Sequence, residues 1–355
     1  MRRTLTTVYA ALCTLLLATG FFLTFFFGWK AGTNEAIASI CGLLCGFIFA
    51  PIIHEFGHVC FAQIAKMDYV YVKFFCFKIY EKNGKKRLGL ISPFAADETQ
   101  VLPTRGGDMR RRACLYTVGG LVFGLCFFLI ILAAAIVCTA LGATNYFLWG
   151  ILPYTGYLFL LNAAPLAYES GKTDMLVFIG LLRGADTEKT MISSMEIQGR
   201  LSEGKSFSEI EESWYFDLPQ LCEDEPLFAI IQDLRYRYFL EKGDAERAAK
   251  ELNRLAQAQA YLPDAAVEKI AAELTYMHTL FGSQENAEAS GKLCWEYLQS
   301  DEASAKRILA AYSAAFGKTE AVEPLLAQAE ECLKKERVLG VKKHEQILLS
   351  RIVTE

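Results

Sequence analysis

Residues 48–62 read IFAPIIHEFGHVCFA and lie inside a long apolar segment. The chain has four histidines, and two of them, His54 and His58, fall in this stretch, with Glu55 between them. An ionisable group at the centre of a bilayer costs roughly 2.5–3.5 kcal/mol even on lenient insertion scales, so such groups usually serve a function. The stretch therefore predicts that polar side chains of a membrane helix carry the chemistry of this protein.

Composition separates the chain into two parts. Of the 355 residues, 53% are hydrophobic, and they concentrate in residues 1–183, whereas 184–355 are rich in Ala, Glu, Leu and Lys. The basic start of the chain is typical of a signal peptide, but the apolar run after it exceeds the roughly 7–15 residues of such a peptide, which favours a retained helix. We therefore expect an all-α polytopic membrane domain over 1–183 and a cytoplasmic helical domain over 184–355. Four runs reach the ~20 residues that a transmembrane helix needs, at about 5–29, 36–65, 114–141 and 146–167.

The charges of the connecting loops predict the topology. The loop 67–112, between the second and third runs, is rich in Lys and Arg, whereas the preceding loop carries only Lys30 as a basic residue and the last loop is uncharged. Basic loops remain on the cytoplasmic side, which places both termini and the loop 67–112 in the cytoplasm of a multi-pass cell-membrane protein. The lipid bilayer is thus an expected partner. A net charge of −4 gives no reason to expect nucleic-acid binding.

The basic loop has a β-hairpin pattern. Residues 69–80 are β-branched and aromatic, and a second short strand follows Asn83-Gly84. Asn-Gly between such runs is the strongest short-range hairpin signal. We expect a small cytoplasmic β-hairpin insertion, serving either as a structural flap or as an edge that pairs with an extended peptide substrate.

The C-terminal part has a repeated helix–turn–helix pattern. Its turn glycines Gly243, Gly282 and Gly317 lie 39 and 35 residues apart, close to the ~34-residue period of tetratricopeptide (TPR) helix pairs. This predicts a TPR-like domain that either binds a cytoplasmic protein partner or only stabilises the fold. Periodic helical segments occur at about 226–242, 244–260, 264–281, 285–299, 302–316 and 319–335.

The motif HEFGH (54–58) fits the zinc pattern H-E-x-x-H. Positions i and i+4 share one face of a helix, so His54 and His58 can ligate one Zn²⁺. Glu55 points about 100° away and can reach a zinc-bound water as a general base without ligating the metal. A chance occurrence would leave three polar groups unpaired in the membrane, which favours a zinc site.

A catalytic zinc usually has three protein ligands and one open position. The third ligand must come from the same membrane depth, and the cytoplasmic end of the fourth run, LLNAAPLAYESGKTDM, offers suitable residues. Both Glu169 and Asp174 are candidate third ligands at this point of the argument. Pro165 is expected to break the helix there.

HEFGH in one span and Asn162, Pro165 and Asp174 at the end of another resemble the site-2 protease family of intramembrane zinc metalloproteases. The resemblance covers about residues 36–183, and Gly119-Gly120 is similar to a small-residue stretch of that family. It implies zinc ligation by His54, His58 and Asp174, general-base catalysis by Glu55, and a role for Asn162 in holding the substrate strand or the oxyanion. The family's aspartate usually precedes glycine, whereas here Met175 follows Asp174, which keeps Glu169 open as a ligand.

The resemblance implies a zinc endopeptidase that cuts a membrane-embedded or membrane-proximal substrate segment near the cytoplasmic face. Its substrate would be a membrane protein or peptide. Two alternatives remain. One is a membrane-anchored scaffold whose helical repeats bind a partner and whose metal site is vestigial or structural. The other is a prenyl-protein-type HExxH protease with a glutamate as third ligand.

Overall fold

The chain divides into two compact units. A computed structural model describes residues 2–82, 85–92, 98–168 and 171–354, which are mostly helical (74%) with a small antiparallel sheet. Unit 1 comprises Met1–Leu102 and Arg110–Ala185, and unit 2 comprises Pro103–Met109 and Asp186–Glu355. The boundary at 185/186 lies two residues beyond the boundary predicted from composition. The composition pattern does not indicate that 103–109 belongs with the C-terminal unit.

Three helices of unit 1 are long and apolar enough to cross a membrane. They are α1 (Arg2–Ala31), α2 (Thr33–Ile64) and α3 (Met109–Ala140). Many of their large apolar side chains are exposed, as is compatible with contact with lipid. The fourth helix, α4 (Tyr146–Ala163), is shorter than the predicted run 146–167. It ends at Ala163, because Pro165 disfavours a helical conformation of the residue before it, Ala164. The role of α4 as a fourth span stays a prediction.

Close backbone packing joins α2 to α4. A Cβ atom added at Gly42 would lie 2.1 Å from the carbonyl oxygen of Phe147, and one added at Gly150 would lie 2.3 Å from that of Ser39. Small residues of this kind allow helices in a membrane to approach closely, where packing rather than the hydrophobic effect drives association. The glycines therefore determine how α4 is held against the helix that carries the HEFGH motif.

The loop after α2 forms a four-stranded sheet instead of a simple hairpin. The strands are β1 (Met67–Phe74), β2 (Phe77–Lys82), β3 (Lys85–Leu90) and β4 (Glu98–Pro103), in the order β3-β2-β1-β4. The predicted hairpin over 69–92 is wrong in its first strand, because a tight turn at Phe75 and Cys76 divides 69–80 into β1 and β2. Phe75 adopts a left-handed conformation (φ 51°) in this turn, which is uncommon for residues other than glycine. Asn83-Gly84 lie outside the described residues, but Lys82 pairs with Lys85 on either side of them.

Short elements follow α4 and complete unit 1. Strands β5 (Ala167–Tyr168) and β6 (Gly171–Lys172) pair with each other and lead into α5 (Asp174–Arg183). Arg110 donates to the carbonyl oxygens of Leu181 and Leu182 at the end of α5. Buried Arg112 likewise donates to those of Ala65 and Lys66, just after α2. These two arginines of the basic loop therefore cap helices, in addition to any effect on topology.

Unit 2 is a set of helices packed around a hydrophobic core of aliphatic and aromatic side chains. The predicted segments correspond to helices with somewhat different bounds. The helices Asp186–Ser202, Ser213–Phe216 and Leu339–Thr354 lie outside these segments. A TPR-like arrangement stays a prediction. The helices are α6 (Asp186–Ser202), α7 (Ser213–Phe216), α8 (Pro226–Lys242), α9 (Ala245–Gln257), α10 (Asp264–Phe281), α11 (Gln284–Leu293), α12 (Trp295–Leu298), α13 (Ala303–Ala315), α14 (Val322–Leu333) and α15 (Leu339–Thr354).

An ion network lies in the core of unit 2. Arg307 is fully buried, and its guanidinium contacts Glu273 Oε1 at 2.8 Å and Glu345 Oε2 at 2.7 Å. Its charge also lies 4.2 Å from the centre of the Tyr276 ring. Removing one partner of a buried ion pair leaves an uncompensated charge, which typically costs about 3–5 kcal/mol. The network thus ties α10, α13 and α15 to one specific arrangement.

His344 lies beside this network and is also fully buried. Its ring contacts that of Phe207, with 4.8 Å between the ring centres, and neither ring nitrogen has a hydrogen-bond partner among the described residues. Burial holds the pKa of His344 well below its usual range, and the positive charges of Arg237, Arg307 and Arg351 act in the same direction. The native imidazole is therefore neutral at pH values where an exposed histidine is protonated.

We predict that acid destabilises unit 2 through His344. Unfolding returns the imidazole to its ordinary pKa of about 6.5, so below that pH the unfolded state binds one more proton and stability falls as the pH drops. Denaturation of the full-length protein in micelles, followed by tryptophan fluorescence, should give a lower midpoint at pH 5 than at pH 7. His344→Leu should reduce that difference, and His278→Leu, at a half-buried histidine of the same unit, is the matched control. An equal pH dependence in wild type and His344→Leu would contradict this assignment.

Candidate metal centre

Helix α2 presents His54 and His58 on one face. The two residues are one helical turn apart, and their ring centres lie 5.0 Å from each other. Both are buried, with exposed fractions of 7% and 5%. Both imidazoles require a polar partner, because burying an unpaired polar group in an apolar interior costs free energy.

Asp174, the first residue of α5, supplies that partner. Its Oδ2 lies 3.1 Å from Nε2 of His54 and 3.3 Å from Nε2 of His58, yet this buried oxygen accepts no hydrogen bond from the described residues. Ligands about 2.1 Å from a tetrahedral zinc are separated by roughly 3.4 Å, which agrees with both distances. The three ligand atoms lie within 4.8 Å of one another, and the group could hold a metal ion.

The chain around Pro165 holds Asp174 in place through Thr173. The buried hydroxyl of Thr173 donates to the carbonyl oxygen of Ala164 at 2.6 Å and accepts from the amides of Leu166 at 3.2 Å and Leu176 at 3.3 Å. The last of these bonds makes Thr173 the N-cap of α5. One side chain thus joins the end of α4 to the start of α5 and fixes the backbone next to the ligand.

Helix α3 provides the other side of the site. Nδ1 of His58 lies 3.0 Å from the carbonyl oxygen of Tyr116. When Nδ1 carries the proton, it donates to that carbonyl and the lone pair of Nε2 faces Asp174, which is the usual second interaction of a metal-binding histidine. Tyr116 therefore selects the tautomer that ligation requires.

Glycines allow α3 to reach the histidines. A Cβ atom at Gly119 would lie 2.5 Å from the carbonyl oxygen of Gly57, so the two helices touch through their backbones. A Cβ atom at Gly120 would lie 2.4 Å from Nε2 of His58 and 2.7 Å from Nε2 of His54. Any side chain at Gly120 would therefore occupy the space on which the two imidazoles converge.

Glu55 is not one of the three residues of the candidate ligand group. It is 5% exposed, and its Oε2 accepts a hydrogen bond of 2.5 Å from the hydroxyl of Thr99 on β4. The carbonyl oxygen of Thr99 in turn accepts from the hydroxyl of Tyr116. Glu55 is thus held beside the histidines by a hydrogen bond from a neighbouring strand, as the H-E-x-x-H spacing predicts for a residue that is not itself a ligand.

The structure brings together some of the predicted residues and leaves others apart. His54, His58 and Asp174 converge, whereas Asn162 donates from Nδ2 to the carbonyl oxygen of Leu158 in its own helix at 3.2 Å. Glu169, the rival ligand, lies outside the described residues. Sequence reasoning missed Thr99 and Thr173, and only the N-cap pattern Thr173-Asp174 before an apolar run could have indicated one of them.

No family model, curated protein or solved structure matches this chain. The site is therefore interpreted from its own chemistry. Two imidazole nitrogens and one carboxylate oxygen suit several transition metals, and this ligand set is a candidate metal centre.

We predict that Gly120→Ala abolishes metal binding. The new methyl group would lie against both Nε2 atoms, so the purified variant should contain much less metal than wild type in elemental analysis by mass spectrometry. Gly124→Ala is the matched control on the same helix, because its Cβ atom would be 3.8 Å from Nδ1 of His54, an ordinary contact. A Gly120→Ala protein with the metal content of wild type would show that the ion does not bind between the imidazoles.

Proposed function

We propose that this protein is an integral-membrane zinc endopeptidase of the site-2 protease type. The observation that supports it most is the convergence of His54 Nε2, His58 Nε2 and Asp174 Oδ2 beside a buried glutamate that is not a ligand. Helix α2, which carries three of these four residues, is long and apolar enough to cross a membrane. Three protein ligands leave one coordination position open, as catalytic zinc sites do.

The ligand chemistry favours zinc. Hard ions such as Mg²⁺ and Ca²⁺ prefer oxygen ligands, whereas imidazole suits zinc, copper, iron and nickel. A zinc ion held by His54, His58 and Asp174 would lower the pKa of a bound water and would polarise the scissile carbonyl. The assignment rests on the residues present, because each histidine nitrogen lies at a distance from Asp174 Oδ2 that suits two ligands of a tetrahedral zinc.

Glu55 performs the proton transfers in the proposed reaction. Its carboxylate takes a proton from the attacking water as the water oxygen bonds to the scissile carbonyl carbon. It then gives that proton to the amide nitrogen as the C–N bond breaks, so the products are a carboxylic acid and an amine. A structural metal site needs no such residue, and the buried, hydrogen-bonded Glu55 therefore favours the protease over the scaffold with a vestigial site.

The substrate must be extended at the cleaved bond. A helical segment hides its peptide carbonyls in its own hydrogen bonds, so attack requires local unwinding, and the unwound backbone needs new partners. We propose that the segment is membrane-embedded or membrane-proximal and is cut near the cytoplasmic face, on which the basic loop 67–112 is expected to lie. An exposed strand edge of the four-stranded sheet offers the backbone partners.

We predict that Glu55→Gln removes proteolysis but leaves the metal in place. Loss of a general base typically lowers the rate about 10²–10⁴-fold, and Glu55 is not a ligand. The measurement is cleavage of fluorescently labelled casein, an unfolded probe, by the full-length protein in detergent, with zinc content measured in parallel. Glu35→Gln, in the first turn of the same helix, is the matched control. Unchanged cleavage by Glu55→Gln, or no zinc-dependent cleavage by wild type, would contradict the proposed function.

We predict that Asp174→Ala lowers zinc content strongly, whereas Glu169→Ala does not. Removing one of three protein ligands weakens the site, and Asp174 is the carboxylate that lies next to both histidines. Zinc should be measured after dialysis against a weak chelator, since partial sites lose metal first. Loss of zinc from Glu169→Ala with retention by Asp174→Ala would instead support the glutamate-ligand alternative.

A further inference from the structure

Strand β4 contacts the proposed base through Thr99, whose hydroxyl donates to Glu55. We infer that Thr99 is a positioning residue for Glu55. This inference rests on the proposed function, since it concerns the residue that moves protons there.

The first step is the hydrogen bond at Glu55. Thr99 is 7% exposed, and its hydroxyl donates to Oε2 of Glu55 at 2.5 Å. A carboxylate with one oxygen held by a donor cannot rotate freely, so its other oxygen keeps a constant direction. A proton acceptor that must lie within hydrogen-bond reach of a water requires such fixing. The hydroxyl of Thr99 bonds the carboxylate of Glu55, and Thr99 is not one of the three residues of the candidate ligand group, so its role is orientation.

The second step is the contact between Thr99 and α3. The carbonyl oxygen of Thr99 accepts from the hydroxyl of Tyr116, and the carbonyl oxygen of Tyr116 faces Nδ1 of His58. One residue of α3 thus contacts both the residue that orients the base and a ligand. Outer interactions of this kind typically contribute about 10–100-fold to activity or metal affinity.

The test of the positioning role compares two substitutions at Thr99. Thr99→Val keeps the shape and removes the donor, and Thr99→Ser keeps the donor. We expect Thr99→Val to lower kcat for casein cleavage by about 10–100-fold with little change in KM, and Thr99→Ser to retain most activity. Thr155→Val, at a buried threonine whose hydroxyl donates to the carbonyl oxygen of Leu152 within α4, is the matched control. Wild-type or faster cleavage by Thr99→Val, or equal loss in Thr99→Ser, would overturn the inference.

A second readout does not depend on turnover. Cobalt substituted for zinc gives visible absorption bands that report on the ligands. These bands should be the same in wild type and Thr99→Val, since Thr99 orients Glu55 and does not bind the metal. Altered bands or lost metal in Thr99→Val would overturn the positioning role and indicate a structural one.

The Glu55→Gln protein distinguishes failure of the inference from failure of the proposed function. If Glu55→Gln is inactive and Thr99→Val is fully active, the inference fails and the proposed function stands. If Glu55→Gln is fully active, the proposed function itself fails.

Discussion

The cost of burying polar side chains in an apolar helix constrains the whole of unit 1. His54, Glu55 and His58 have exposed fractions of 7% or less, and each needs a compensating partner at that depth. The partners come from three different places in the chain: Asp174 from α5, Thr99 from β4 and the carbonyl oxygen of Tyr116 from α3. The elements α3, α5 and β4 therefore each place one polar group beside a buried polar residue of α2.

These polar groups reach the buried polar residues of α2 only because the neighbouring elements pack closely against that helix. Gly119 and Gly120 bring α3 against α2 without side chains in between, and Thr173 joins α4 to α5 beside Asp174. The Nε2 atoms of both imidazoles face the same carboxylate oxygen of Asp174, and that oxygen has no hydrogen bond from the described residues. A cation would stabilise this arrangement. In a region of low dielectric constant, such an attraction is much stronger than in water. Metal binding and the packing of the helices are consequently coupled.

Sequence patterns predicted the structural features that depend on residues close together in the sequence. The i, i+4 spacing of His54 and His58 indicates a shared face, and the residue before Pro165 marks the end of α4. Asp174 was reached only through a family resemblance, because no local rule joins it to a histidine more than a hundred residues away. The turn at Phe75 has none of the usual turn residues, so its prediction as continuous strand failed. The bond between Thr99 and Glu55 spans 44 residues and depends on where β4 lies, which local patterns do not specify.

X-ray absorption spectroscopy at the zinc edge of the purified full-length protein tests the central claim most directly. The account predicts about one zinc per chain, with nitrogen and oxygen ligands only, at distances of about 2.0–2.2 Å, and with outer-shell scattering from two imidazoles. The Asp174→Ala protein should lose this signal. A sulfur shell at about 2.3 Å, from any of the eleven free cysteines, or a single imidazole in the spectrum, would contradict a centre built from His54, His58 and Asp174.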